Sequence, residues 1–244
     1  MGQVMVVTSG KGGTGKTSLC AGIASCLSQM QQKVLCIDAD IGLRNLDLAL
    51  GMADSATVPF TEITEGRATL DAAPHHPKLP QLSLLTAPAE YTGIDSAAFQ
   101  QLLQQAGERY DWVLIDAPAG IGDGFRLAAS YADRALVVAM ADPASLRDAA
   151  RAAQMLRQLG VKRAHLAVNR ISKKLYRKIG ATVDDVMDQV GLPLLGLVPE
   201  DANVVLAAVS GVPLVCYTER GAVVACRHLA QRLMDERVPL MRIR

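Results

Sequence analysis

The run Gly10-Lys11-Gly12-Gly13-Thr14-Gly15-Lys16-Thr17 sits between an apolar stretch, Val4–Thr8, and an amphipathic, helix-period segment from about Lys16 to Met30. It matches G-x-x-x-x-G-K-[ST] in a strand–turn–helix context, and that context constrains the chain more than any other feature. Glycines let the backbone wrap until successive N–H groups point at phosphate oxygens. The following helix adds the positive end of its dipole. In this pattern Lys16 reaches the terminal phosphates and the Thr17 hydroxyl ligates Mg²⁺, so the loop from Gly10 to Ser18 reads as a nucleotide-phosphate site. A glycine-rich turn that binds nothing is the competing reading, and the full motif in this context speaks against it.

The rest of the chain repeats the same alternation. Apolar runs at Lys33–Asp38, Leu82–Thr86, Trp112–Asp116, Ala135–Ala139, Ala164–Asn169 and Pro193–Val198 read as strands. Helical patterns fall at about Asp95–Gly107, Asp123–Tyr131, Pro143–Gly160, Thr182–Val190, Asp201–Ser210 and Tyr217–Glu236. Continuous apolar strands are buried on both faces, as in a parallel sheet covered by helices. The expected fold is therefore α/β: a doubly wound, mostly parallel sheet with helices on both faces, in three layers. Ala53–Pro80, with four prolines, predicts short helices and loops. No linker or repeat divides the chain, which predicts a single domain over residues 1–244.

Composition excludes several classes. Of 244 residues half are hydrophobic and a fifth charged, which rules out a disordered tail or a small disulfide scaffold. Five cysteines with no C-x-x-C pair predict buried free thiols in a reducing compartment. The sequence enters a strand directly, and Gly211 and Pro213 break the longest uncharged stretch, so a cytoplasmic protein without a membrane span is expected.

Lys11 is extra to the generic phosphate-loop pattern, and K-G-G-x-G-K-T resembles the deviant Walker A signature of the ParA/MinD superfamily of ATPases. Asp38-Ala39-Asp40-Ile41-Gly42-Leu43-Arg44-Asn45-Leu46-Asp47 resembles switch I in its MinD form, and Asp116-Ala117-Pro118-Ala119-Gly120-Ile121 resembles switch II. Both segments leave the carboxyl ends of predicted parallel strands, the edge where ligands bind in open α/β sheets. The resemblance implies that Lys11 reaches across a homodimer interface to the partner's ATP. It places Asp38 and Asp116 on Mg²⁺ or its waters. Asp40 is the residue expected to orient the attacking water. A helix N-cap is the plain alternative for any one of these aspartates.

The same resemblance assigns the adenine to two loops, Asn169-Arg170 and Pro199-Glu200-Asp201, where a turn and a first helical turn are the alternatives. It implies an ATP-dependent dimer that holds a membrane surface and recruits a division inhibitor, until a second partner stimulates hydrolysis to ADP. Asp148 aligns with a helix position turned toward such partners, and a solvated charge is its plain alternative.

The end of the chain departs from the family. Val238-Pro239-Leu240-Met241-Arg242-Ile243-Arg244 is too short after Pro239 for an interfacial helix, giving at most marginal membrane affinity. From Arg157 to Lys178 eight basic residues (Arg157, Lys162, Arg163, Arg170, Lys173, Lys174, Arg177, Lys178) meet no acidic one, leaving 17 basic against 24 acidic residues elsewhere. That stretch is a candidate contact for anionic membrane or DNA, with the protein at the inner face of the cell membrane in the first case; a solvated loop is the alternative. His75-His76 lack a metal-ligand pattern. A flagellum- or pilus-positioning ATPase, a ParA-like DNA partition ATPase, a nucleotide-binding scaffold and a metabolic kinase are the competing functions, the last disfavoured by the paired lysines.

Overall fold

A computed structural model describes residues 1–41, 43–89, 93–172 and 183–241. Its strands are β1 (Gln3–Thr8), β2 (Val34–Asp38), β3 (Leu82–Leu85), β4 (Trp112–Asp116), β5 (Arg134–Met140), β6 (Arg163–Ile171) and β7 (Leu194–Pro199). They form one sheet in the order β3-β2-β4-β1-β5-β6-β7, and every pairing is parallel. The expected doubly wound sheet is present.

Strand alternation explains the layers, because successive side chains face opposite sides. In β1, Val4 and Val6 face one core while Met5 and Val7 face the other. In β4, Val113 and Ile115 join the first core, Trp112 and Leu114 the second. Helices α4 (Ser96–Arg109), α5 (Asp123–Ala129), α6 (Pro143–Gln158) and α7 (Val183–Val190) cover the first face. Helices α1 (Lys16–Gln29), α2 (Leu46–Leu50) and α10 (Ala222–Leu233) cover the second. The remaining short helices are α3 (Phe60–Thr64), α8 (Asn203–Val209) and α9 (Leu214–Tyr217).

Several boundaries differ from the sequence reading. The expected helix Tyr217–Glu236 is two elements, because a turn over Thr218–Gly221 interposes between α9 and α10 and Gly221 takes φ +73°. The helix expected from Asp201 begins at Asn203, with Asp201 turned to other work described below. β6 runs on to Ile171 through a register irregularity with β7, and Arg170 there has φ +55°. The Ala53–Pro80 segment contains α3 and a 3₁₀ turn at Leu70–Ala72, as its composition predicts. Phe60 anchors it by meeting Phe99 of α4 edge-on, with ring centroids 5.5 Å apart. Four of the five cysteines are buried and all are free. No helix among the described residues is long and apolar enough to cross a membrane.

His76 is a structural residue. Its Nε2 lies 2.8 Å from the Leu50 carbonyl, and its Nδ1 accepts from the backbone N–H of Lys78 and Leu79. Those partners require a neutral ring with the proton on Nε2. Burial, helped by the nearby Lys78 charge, pushes the His76 imidazole below its ordinary pKa. The unfolded chain therefore takes up the extra proton as pH falls below about 6.5, and stability is lost in that direction. His165 and His228 are shifted the same way, so the contribution of His76 is read as a difference. His76→Gln should be less stable than the natural chain at pH 7, with the gap closing toward pH 5 in urea unfolding. A gap independent of pH would show that His76 does not carry this titration.

Candidate nucleotide site

The carboxyl ends of β1, β2 and β4 are joined by backbone hydrogen bonds. Ala39 N donates to Asp116 O (2.9 Å), Ala117 N to Val7 O (3.1 Å) and Gly120 N to Ser9 O (3.0 Å). Asp38 and Asp116 are register partners across β2 and β4, and both are buried. The phosphate loop, switch I and switch II thus leave one edge of the sheet side by side.

At the centre lies Lys16. Its Nζ is 2.7 Å from Asp116 Oδ1, 4.0 Å from Asp40 Oδ2 and 3.4 Å from Thr17 Oγ1. The Thr17 hydroxyl donates to Asp116 Oδ2 at 2.7 Å. Burial pushes the Asp116 carboxyl up to about 6, and the charge of Asp38 adds to this, against the pull of Lys16 and Thr17. Burial also raises Asp38, offset by the backbone N–H groups of Asp40 and Leu46, which donate to its two oxygens at 3.0 and 3.1 Å. Asp38 therefore supports the first turn of α2, whose N-cap residue is Asn45, and shapes switch I. Gly42 of switch I lies outside the described residues.

The loop is held from behind. Asn169 donates from Nδ2 to Thr14 O at 2.8 Å, linking β6 to the loop. Gly15, at φ +84°, lies so close that a Cβ there would run into the Asn169 amide. Among the described residues, and chain neighbours aside, no heavy atom lies within 4 Å of a Cβ built at Gly12 or Gly13, which leaves room there for a ligand. Lys11 turns away from this centre. Its Nζ sits 3.2 and 3.3 Å from the two oxygens of Asp142, which also caps α6 by accepting from Ser145 N. Burial opposes ionisation of Asp142, yet the Ser145 N–H and Lys11 hold it below the usual carboxylate range.

A pocket of about 420 Å³ opens beside Gly15 and Ser18. Asn169, Arg170, Pro199, Glu200 and Asp201 line it as expected, so the two loops assigned to the base do converge. Arg170 pairs with Glu200 at 3.3 Å. The apolar lining of Leu19, Val198, Leu214, Ala222 and Cys226 was not legible, because nothing in sequence spacing marks residues that meet from four elements. Asp142 was missed too, although Asp-Pro before a helix pattern is a readable N-cap signal. Asp148 lies on α6 with its backbone against Gly10 and its carboxylate 3.7 Å from Arg151.

The donor set fits the ions expected. A threonine hydroxyl and carboxylate oxygens are hard oxygen ligands of the kind Mg²⁺ takes, and Thr17 and Asp116 already converge. No group of three or more His, Cys, Asp or Glu residues able to hold a metal occurs among the described residues.

Lys16→Ala should abolish detectable ADP binding in calorimetry, since it removes the phosphate contact and strands Asp116 without its counter-charge. Unchanged affinity would remove the loop from nucleotide binding.

Comparison with known proteins agrees with this geometry. Residues 5–214 match the CobQ/CobB/MinD/ParA nucleotide binding domain. The septum site-determining protein MinD of Synechocystis is 34% identical over 246 residues, covering 99% of this chain and 92% of the relative. A MinC:MinD cell division protein complex from Aquifex aeolicus superposes with a TM-score of 0.92 at 36% identity, covering 99% of both chains. MinD of Pyrococcus horikoshii, complexed with Mg-ADP, gives 0.84 at 26% identity over 96% of both. The chain belongs to the CobQ/CobB/MinD/ParA family of P-loop nucleotide-binding proteins and, within it, to the MinD proteins.

Proposed function

We propose that this chain is a septum-site-determining ATPase of the MinD type, a single P-loop domain that dimerises on ATP and separates after hydrolysis. The observation that carries this reading is the opposite allegiance of two lysines in one loop. Lys16 is buried against Asp116, while Lys11 points outward to Asp142 at the protein surface. A lysine already outside its own phosphate site supports a role at a neighbour's.

ATP enters with its phosphates over Gly12–Thr17 and its base beside Asn169, Arg170, Pro199 and Glu200. Lys16 exchanges part of its contact with Asp116 for phosphate oxygens. Thr17 and Asp116 would hold Mg²⁺, with Asp38 beside them as a further acceptor, and the ion would supply neutralisation of phosphate charge. Asp40, 4.0 Å from the Lys16 ammonium, orients the attacking water, since phosphoryl transfer depends on positioning and charge stabilisation more than on a strong base. Lys11 of the second subunit completes the charge stabilisation. Slow turnover without a partner follows, and a hydrolysis-stimulating protein is expected to quicken it. The relation to a MinC-bound MinD favours a division inhibitor as the second partner, with α6 around Asp148 as the contact.

The surface that the dimer holds is the open choice between anionic membrane and DNA. Lys173, Lys174, Arg177 and Lys178 lie outside the described residues, as do Arg242, Ile243 and Arg244. Arg163 and Arg170 lie near opposite ends of β6, seven residues apart and so roughly 23 Å at about 3.3 Å per residue. Arg170 is paired with Glu200, and Arg157 donates to Gly191 O. The described members of the basic stretch are thus dispersed and in part already paired, and the vesicle and DNA test below separates the membrane reading from the DNA reading.

Asp40→Ala should lower phosphate release by at least about a hundredfold while ATP still binds. The same variant with ATP should sediment with vesicles containing anionic phosphatidylglycerol, and remain in the supernatant with ADP. Retention on DNA in place of vesicles would move the protein to the partition class. Normal turnover of Asp40→Ala would remove Asp40 from catalysis.

A further inference from the structure

We infer that Asp201 positions the nucleotide base without contacting it, by tying one wall of the base pocket to the floor; this rests on assigning the pocket beside Gly15 to the base. Both carboxylate oxygens are engaged by backbone. Oδ1 accepts from Asn203 N at 2.9 Å, and Oδ2 accepts from Ala222 N, 21 residues further on, at 2.8 Å. Ala222 opens α10, whose N-cap residue, Gly221, offers no side-chain oxygen of its own. The first turn of α10 therefore takes its cap from the loop after β7. A carboxylate suits that place, since a helix N-terminus presents unpaired N–H groups and positive potential.

The approach is close. A Cβ at Gly221, which has φ +73°, would collide with the Asp201 carboxylate, so the turn needs glycine both for its backbone angle and for this contact. Pro199 and Glu200, from the loop after β7, and Ala222 and Cys226, from α10, all line the pocket. α10 in turn packs on α1, where a Cβ at Gly22 would meet Cys226 Sγ at 2.6 Å. One carboxylate thus links the base wall, the helix beneath the base, and through it the helix that begins at the phosphate loop. Without Asp201 the wall loses its register with the floor, whereas the phosphate loop keeps its own supports in Asn169 and Asp116.

Positioning and direct contact differ in what they do to ligands that lack part of the nucleotide. Calorimetric titration of the natural chain, Asp201→Ala and Asp201→Asn with Mg²⁺ and three ligands separates them: ATP, purine riboside triphosphate, which lacks the 6-amino group, and tripolyphosphate. Asp201→Ala should weaken both nucleotides by the same factor, about tenfold, as expected for loss of a helix cap transmitted to a binding surface. Tripolyphosphate affinity should be unchanged. Asp201→Asn keeps one acceptor oxygen, so its loss should be intermediate, and amide exchange at Ala222 should quicken in both variants. A loss for ATP alone would mean that Asp201 reads the amino group directly, which overturns the inference. So would an equal loss for tripolyphosphate, or no loss for any ligand. If the natural chain binds tripolyphosphate as tightly as ATP, the base-pocket assignment itself fails, and the inference with it.

Discussion

The contact between Lys16 and Asp116 is the constraint on which the site depends. Both groups are buried, 2.7 Å apart, and Thr17 closes the triangle. Such a pair is a poor source of net stability, because taking two charges out of water costs about as much as their attraction returns. Its value is geometric. It forms only if the first turn of α1 and the end of β4 are in register, and that register requires β1 to pair with β4 as it does. Asp38, beside Asp116 on β2, then organises switch I through Asp40 and Leu46. A displacement of any one strand end would leave a buried charge without its counter-charge.

The side chains of the site consequently satisfy one another. Lys16 and Thr17, the groups a nucleotide and its cation need, are both engaged by Asp116. On the function proposed, a ligand would enter by exchange, replacing carboxylate contacts with phosphate and metal contacts at small net change in charge pairing. Lys11 is engaged in the same way outside the pocket, on Asp142. The Asp142 pair is only partly buried, so solvent screens it and its release costs little.

Much of this could be read from residue order. The phosphate loop, the strand ends carrying Asp38 and Asp116, and the apolar strands of a two-faced sheet are local patterns, and local patterns survive in sequence. The partners of those residues are not local. Asp142 meets Lys11 across 131 positions, and Asn169 meets Thr14 across 155. No spacing rule reaches so far. Asp201 illustrates the other difficulty: its place in Pro-Glu-Asp suggests a base contact or an ordinary first helical turn, and nothing in it shows that the carboxylate, besides accepting from Asn203 N at the start of α8, also caps α10. The bulge that puts Arg170 at positive φ was illegible as well, since arginine carries no signal for that backbone.

Whether Lys11 serves the other subunit is tested directly by mixing two inactive variants. Lys11→Ala lacks the lysine it would lend but keeps its own Asp40; Asp40→Ala lacks the water-orienting carboxylate but keeps Lys11. Each alone should release almost no phosphate. Mixed at equal concentration, they should recover hydrolysis, because a mixed dimer holds one site with its own Asp40 and the partner's Lys11. A mixture as inactive as its components would contradict the account and place Lys11 in service of its own chain.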